Sequence, residues 1–164
     1  MIASLALVAA LTAQTPALPQ DSEGPRNHVF FETGAAVGTT SPYGASGLAI
    51  GLHVTSAPRG AAGIDFGLSS YVDPLTHGHL NVLTDLDAVY LPPETSQPQV
   101  ALRAGVTSFL MSGMAIGLNA GAGVMVHLSR TTSFRMDYTY RRFLSEESGG
   151  LQLSALTLGF GFDY

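Results

Sequence analysis

The sequence predicts an all-β protein, an eight-stranded antiparallel transmembrane up-and-down β-barrel, and three observations lead to this prediction. From residue 28 onward, apolar side chains alternate with small or polar ones at a period of two, which is the period of a β-strand. The residues between the apolar positions are mostly Gly, Ala, Ser, Thr and Asn. Only 12% of the 164 residues are charged, whereas an average soluble domain has about 25%.

The first four predicted strands cover residues 29–37, 48–54, 64–72 and 80–90. In each strand one face is an apolar stripe and the other is mostly small or polar. In chain order, the stripes are Val29, Phe31, Thr33, Ala35 and Val37; Leu48, Ile50, Leu52 and Val54; Ile64, Phe66, Leu68 and Val72; Leu80, Val82, Leu86, Ala88 and Tyr90. Clusters of Gly, Pro, Ser and Asp separate these stripes, as is typical of turns between strands.

The last four predicted strands cover residues 100–106, 116–128, 134–140 and a final stretch that ends at residue 164. Their stripes are Val100, Leu102, Ala104 and Val106; Ile116, Leu118, Ala120, Ala122, Val124, Val126 and Leu128; Phe134, Met136, Tyr138 and Tyr140; Leu156, Leu158, Phe160, Phe162 and Tyr164. Residues 104–129 carry no charge and could instead form a transmembrane helix, but their glycines disfavour that alternative.

The size of the polar-face residues indicates which face looks inward. An eight-stranded barrel has a lumen just wide enough for side chains to fill, and small residues suit it. The bulky stripes then face lipid, where backbone groups must bond to one another and the sheet must close without an edge. An even strand number permits closure. A soluble barrel or sandwich remains the alternative, because alternation alone does not say which face meets water.

Charged residues fall on the predicted lumen face. Buried charges must be paired or hydrogen-bonded, and one Arg guanidinium can bridge two carboxylates. We therefore expect an ion-paired network that fills the lumen, with a proton or small-ion path through the same groups as the alternative. Its expected members are Glu32, Asp65, Asp85, Asp87, Arg103, Arg135, Asp137 and Arg141.

The N-terminal residues predict export. Residues 1–17 have a short apolar core followed by small residues and are predicted to be a signal peptide, with a buried N-terminal helix as the alternative. Residues 18–27 are expected to be a linker, and residues 28–164 the barrel. The chain has no Cys, which excludes disulfides and thiolate metal sites. Its seven basic residues against twelve acidic ones exclude an ordinary nucleic-acid binder.

Two stretches carry a resemblance to a known family. Thr157, Gly159, Phe162 and Tyr164 resemble the terminal assembly signal of bacterial outer-membrane barrels. The glycine-rich residues 119–124 and the Tyr- and Arg-bearing residues 135–141 resemble the second half of small OmpA/OmpX-like outer-membrane barrels, without a peptidoglycan-binding domain.

The resemblance implies a location in the bacterial outer membrane with both chain ends in the periplasm. It also implies contact with outer-membrane lipid and lipopolysaccharide, and with the barrel-assembly machinery during biogenesis. The expected protein is a monomer without a cofactor, and its expected role is structural or interactive.

A second hypothesis is enzymatic. His127 and Ser129 are similar to the His-x-Ser pair of barrel lipid A deacylases, in which His is the base and Ser the nucleophile. Arg130 replaces the usual Asn, and a further strand follows the pair. A lipid A acyl-chain hydrolase is therefore the alternative to a non-enzymatic role, and a narrow ion-conducting barrel is the third hypothesis.

Metal binding is not expected. His77 and His79 could contribute imidazole ligands, but the sequence offers them no clear third ligand. Glu146 and Glu147 are expected at the outer surface, where divalent ions bridge lipopolysaccharide phosphates.

Overall fold

The protein is described by a computed structural model that covers residues 26–38, 46–57, 62–72, 80–92, 98–110, 114–144 and 150–164. These residues form eight β-strands: β1 (Arg26–Gly38), β2 (Ser46–Ala57), β3 (Ala62–Val72), β4 (Leu80–Tyr90), β5 (Gln99–Leu110), β6 (Met114–His127), β7 (Thr132–Phe143) and β8 (Gln152–Asp163). No helix in the described ranges is long and apolar enough to cross a membrane.

The eight strands close into one barrel. Each strand pairs antiparallel with the next, and β8 pairs with β1. The predicted fold class is therefore confirmed. Residues 104–129, for which a helix was the alternative, lie mostly in β5 and β6, and these strands pair along their length.

The predicted direction of the side chains agrees with the structure. Phe31 is 60% exposed on the outer surface, whereas its neighbour Glu32 is 4% exposed and points inward. The same alternation runs through β7, where Phe134 and Tyr138 face outward. Bulky apolar side chains therefore cover the outside of the barrel, and small or charged ones fill much of its interior.

Several strands extend beyond their predicted ends, whereas β4 has the predicted bounds. β1 begins at Arg26, inside the expected linker, and this residue pairs with Ala57. β5 continues to Leu110 and β7 to Phe143, where the sequence predicted connections. Near these ends the polarity of the two faces reverses. Ser108 and Arg142 face outward, while Phe109 and Phe143 face inward with ring centroids 5.5 Å apart.

Two apolar clusters occupy the lumen. We call the end where β1 begins and β8 ends the lower end, and the opposite end the upper end. The lower cluster consists of Phe30, Ala57, Val89, Leu91, Ala101 and Met125. The upper cluster consists of Ala36, Ala49, Tyr71, Leu83, Phe109, Ala115, Phe143, Leu151, Leu153 and Ala155. Bulky apolar side chains therefore fill part of the lumen that the sequence predicted to be small and polar.

Several predicted features lie outside the described residues. These are the signal peptide, most of the linker, His77, His79, Glu146 and Glu147.

Candidate functional site in the barrel lumen

The eight residues of the expected charge network all lie inside the barrel. Each of them is at most 7% exposed. They come from five of the eight strands and lie between the upper and lower apolar clusters. We call this level the charged layer.

Arg135 on β7 joins several groups of the charged layer. Its Nε lies 3.0 Å from Glu32 Oε1, and the guanidinium also pairs with Asp137. Its Nη1 donates to Thr55 Oγ1 at 3.4 Å. The guanidinium carbon lies 4.3 Å from the centre of the Phe30 ring, which belongs to the lower apolar cluster. Arg135 therefore connects charges on β1 and β7 and covers the aromatic ring below them.

Arg103 on β5 makes a second group of contacts. Its Nη2 lies 3.0 Å from Asp137 Oδ1, and its Nη1 lies 3.5 Å from Asp65 Oδ2. Asp65 also accepts from Thr55 and has His53 Nδ1 at 2.8 Å. Two arginines and a histidine thus surround the carboxylates of β3 and β7.

Arg141 holds Asp85 through two parallel contacts. Arg141 Nε donates to Asp85 Oδ1 at 3.1 Å, and Nη2 donates to Oδ2 at 2.5 Å. Asn119 Nδ2 donates to Asp85 Oδ1 at 3.1 Å. This paired geometry is the strongest mode of Arg–carboxylate recognition. It joins β4, β6 and β7.

Asp87 differs from the other carboxylates of the layer. It is 2% exposed and pairs across the sheet with Asp65 and Gly105. No cation among the described residues lies within ion-pair distance of it. Among the carboxylates of the charged layer, Asp87 is therefore the one whose negative charge is least compensated by nearby cations.

Glycines make room for the long lumen side chains. Gly121 lies opposite Arg103, and a Cβ there would come within 3.0 Å of Arg103 Nε. Gly159 lies opposite both Glu32 and Arg135, and a Cβ there would lie 3.0 Å from Glu32 Cγ. The narrow lumen therefore accepts a charged side chain on one strand because the neighbouring strand has none.

Sequence reasoning did not assign His53, Thr55, Asn119 and Thr157 to the network. Thr157 Oγ1 donates to Glu32 Oε2 at 2.9 Å, and the other three bind Asp65 or Asp85 as described. All four lie at inward-facing positions of their strands. The alternation along each strand predicts that these residues point inward, but it does not predict which inward residues contact one another.

A second polar cluster, which the sequence did not reveal, lies at the lower end. It consists of His28, His127, Ser133 and Asp163, and we call it the lower polar cluster. His28 Nδ1 lies 2.6 Å from Asp163 Oδ1. Ser133 Oγ donates to both carboxylate oxygens, at 3.0 and 3.2 Å. His127 Nδ1 lies 2.8 Å from Ser133 Oγ and 3.4 Å from Asp163 Oδ2.

The residue types of the lower polar cluster match a Ser-His-Asp triad, but its hydrogen bonds do not. A triad histidine accepts the serine proton. Here the Ser133 hydroxyl donates to Asp163 and not to His127 Nδ1. Ser133 is also completely buried. The arrangement is suited to holding strands together and does not activate a nucleophile.

The structure also separates the predicted catalytic pair. His127 points into the lumen and is 2% exposed, whereas Ser129 is exposed in the turn between β6 and β7. Ser129 Oγ accepts a hydrogen bond from the Thr131 amide at 3.2 Å. No group of three or more His, Asp or Glu residues in the described ranges is arranged to hold a metal ion.

The residues of the predicted assembly signal divide between the two faces of β8. Thr157 contacts Glu32 inside the barrel, and Gly159 faces the lumen as well. Phe162 and Tyr164 are exposed on the outer surface. The signal thus combines two lumen positions with two aromatic positions outside.

Solved structures with the same fold are small membrane barrels. Neisserial surface protein A is 15% identical, with 84% of this chain and 97% of that chain covered and a TM-score of 0.68. The N-terminal β-barrel domain of OprF from Pseudomonas aeruginosa is 16% identical, with 85% and 99% covered and a TM-score of 0.60. The outer membrane protein OprG from Pseudomonas aeruginosa is 14% identical, with 88% and 98% covered and a TM-score of 0.56.

The sequence itself matches no protein-family model and no curated protein. The likeness to these barrels is therefore one of fold. A closed barrel with exposed Leu, Ile, Val and Phe on its outer wall fits a bilayer, since lipid removes the need to cover that surface. The resemblance to OmpA/OmpX-like barrels is confirmed at the level of the fold, and the chain has the fold of the small eight-stranded outer-membrane β-barrels.

Proposed function

We propose that the protein has a structural role in the outer membrane as a barrel whose lumen is sealed. The observation that carries this proposal is the succession of layers in the lumen. The charged layer lies between two apolar clusters, so an ion that entered the barrel would meet dehydrated apolar side chains on both sides. Apolar constrictions oppose ion passage because water leaves them.

The free space in the lumen supports the same proposal. A cavity of about 20 Å³ lies between the charged layer and the upper cluster, with Glu32, His53 and Arg141 among its lining residues. This volume accommodates about one water molecule. The arginines inside the lumen are bound to carboxylates, so they hold strands together and do not line an open path.

Planar-bilayer recording tests the sealed lumen. The purified barrel is expected to produce no conductance steps at a protein load at which a sixteen-stranded porin, reconstituted in the same way, conducts. The same sample must contain the folded, SDS-resistant band, which shows that the absence of conductance does not come from unfolded protein. Reproducible steps from that folded material would contradict a sealed barrel and favour the narrow ion-conducting alternative.

A complementation experiment separates the structural role from lipid A hydrolysis. Deleting the gene in its host is expected to increase sensitivity to SDS with EDTA. The Ser129→Ala variant is expected to restore resistance fully, because Ser129 lies in an exposed turn away from the lumen. Lipid A mass spectra should be the same with the wild type, the variant and the deletion. Loss of an acyl chain that requires Ser129 would establish the hydrolase instead.

A further inference from the structure

The pairing of β1 with β8 needs a register signal of its own. We call this pair the seam. Consecutive strands are joined by connections, and the connection length limits their register. The seam joins the first and last strands, so no connection acts on it directly. Its register must be selected when the barrel closes.

The apolar pattern alone does not select that register. A one-residue slip would turn the apolar face of a strand inward and is strongly disfavoured. A two-residue slip keeps the same residues outside. On the outer face of the seam, Val29 pairs with Phe162 and Phe31 with Phe160. A slip by two would replace one apolar contact with another.

The lumen face of the seam is far more selective. Three successive inward positions of β1 each have a different partner on β8. The pairs are His28 with Asp163, Phe30 with Gly161, and Glu32 with Gly159. We call these six residues the seam residues.

Two of the three pairs, Phe30 with Gly161 and Glu32 with Gly159, combine a large side chain with a glycine. A Cβ at Gly161 would collide with the Phe30 ring. A Cβ at Gly159 would lie 3.0 Å from Glu32 Cγ, tighter than an ordinary contact. In one two-residue slip Glu32 would face Thr157, which has a Cβ. In the other slip Phe30 would face Asp163 and bury a carboxylate against its ring.

Both slips also separate His28 from Asp163. In the native register these side chains are 2.6 Å apart, and Asp163 further accepts two hydrogen bonds from Ser133 on β7. His28 and Ser133 are almost completely buried. A carboxylate that loses such partners inside the barrel loses much of its compensation. Asp163 therefore favours one register over both neighbouring ones.

We propose that the seam residues select the register in which β8 meets β1, so that side chains inside the barrel direct the closing step of assembly. The proposal concerns biogenesis and does not depend on the role of the finished barrel. It gives the glycines of β8 a function at the seam, because each leaves space for one β1 side chain.

Disulfide mapping can test this proposal, because the chain has no native Cys. Val29→Cys combined with Phe162→Cys reports the native register. Val29→Cys with Phe160→Cys, or with Tyr164→Cys, reports the two slipped registers. Directly paired residues have Cα atoms about 4.5–5.5 Å apart, within disulfide reach, whereas diagonal ones at about 7–8 Å exceed it. Each chain is refolded into phospholipid vesicles and oxidised.

In the parent chain, only the native pair is expected to cross-link. Adding Phe30→Ala and Asp163→Asn is expected to decrease the native cross-link and to produce a slipped one. Val124→Cys with Met136→Cys is the control, because the short turn at residues 128–131 joins β6 and β7 and should hold their register. If the control pair and the native pair both stay fully cross-linked in the weakened chain, the seam residues do not select the register.

Exchanging the charged pair provides a second test if the weakened chain does not fold. Asp163→His alone places two histidines opposite each other and is expected to produce a slipped cross-link. His28→Asp together with Asp163→His restores an acidic and a basic partner and should restore the native cross-link. The proposal is overturned if the single variant keeps only the native cross-link or if the exchange does not restore it.

Discussion

Replacing Arg135 with alanine is expected to lower the free energy of unfolding by about 3–5 kcal/mol, because it leaves buried charges without their partner. Glu32 would lose its direct guanidinium contact, and Asp137 would keep only Arg103. The Phe30 ring would lose the cation above it. Urea unfolding in detergent micelles, followed by circular dichroism and by the mobility of the folded band, measures the change.

Arg142→Ala is the matched control for this experiment. Arg142 lies on the same strand, seven residues further on, but faces outward and is exposed. Removing it should change stability by no more than about 0.5 kcal/mol, as is usual at a surface position. Equal effects of the two substitutions would show that Arg135 is not buried among carboxylates in the folded barrel.

A second substitution tests the pairing itself. Arg135→Ala leaves the buried Glu32 carboxylate without its guanidinium partner. Adding Glu32→Gln removes that unpaired charge. Part of the lost stability should return, since an unpaired buried charge costs more than the absence of the pair. A double variant less stable than the single one would instead assign the loss to packing around Phe30.

The sequence was most informative about the middle of each strand. There, the outer face meets hydrocarbon and the inner face is small or charged, so the period of two is evident. At the upper ends of β5 and β7 this contrast reverses. Ser108 and Arg142 lie outside while Phe109 and Phe143 lie inside. A segment such as 107–110 therefore resembles a connection in sequence, although it continues β5.

The inward residues were predictable one by one, but their contacts were not. Alternation places Glu32, Asp65 and Arg135 in the lumen. Their proximity depends on how far each strand is shifted against the next, which alternation does not determine. The lower polar cluster shows this most clearly, because His28 and Asp163 are 135 residues apart in the chain. They meet only because the barrel closes in one particular register.

Leu158→Arg tests the outer surface of the barrel. Leu158 lies near the middle of β8, points outward, and is 46% exposed on the apolar surface. An Arg at the bilayer midplane of a β-barrel costs about 2–4 kcal/mol. We expect a lower yield of SDS-resistant folded protein in vesicles and a lower urea midpoint than for the wild type.

Gln152→Arg supplies the depth control for Leu158→Arg, because Gln152 begins the same strand at the upper end of the barrel. The cost of Arg near a membrane interface is only about 0–1 kcal/mol. The two substitutions add the same side chain to the same face and differ mainly in depth, so the difference between them measures the hydrocarbon around Leu158. Because the lumen residues are untouched in both variants, equal stability of the two would mean that this face of β8 is not in the membrane interior.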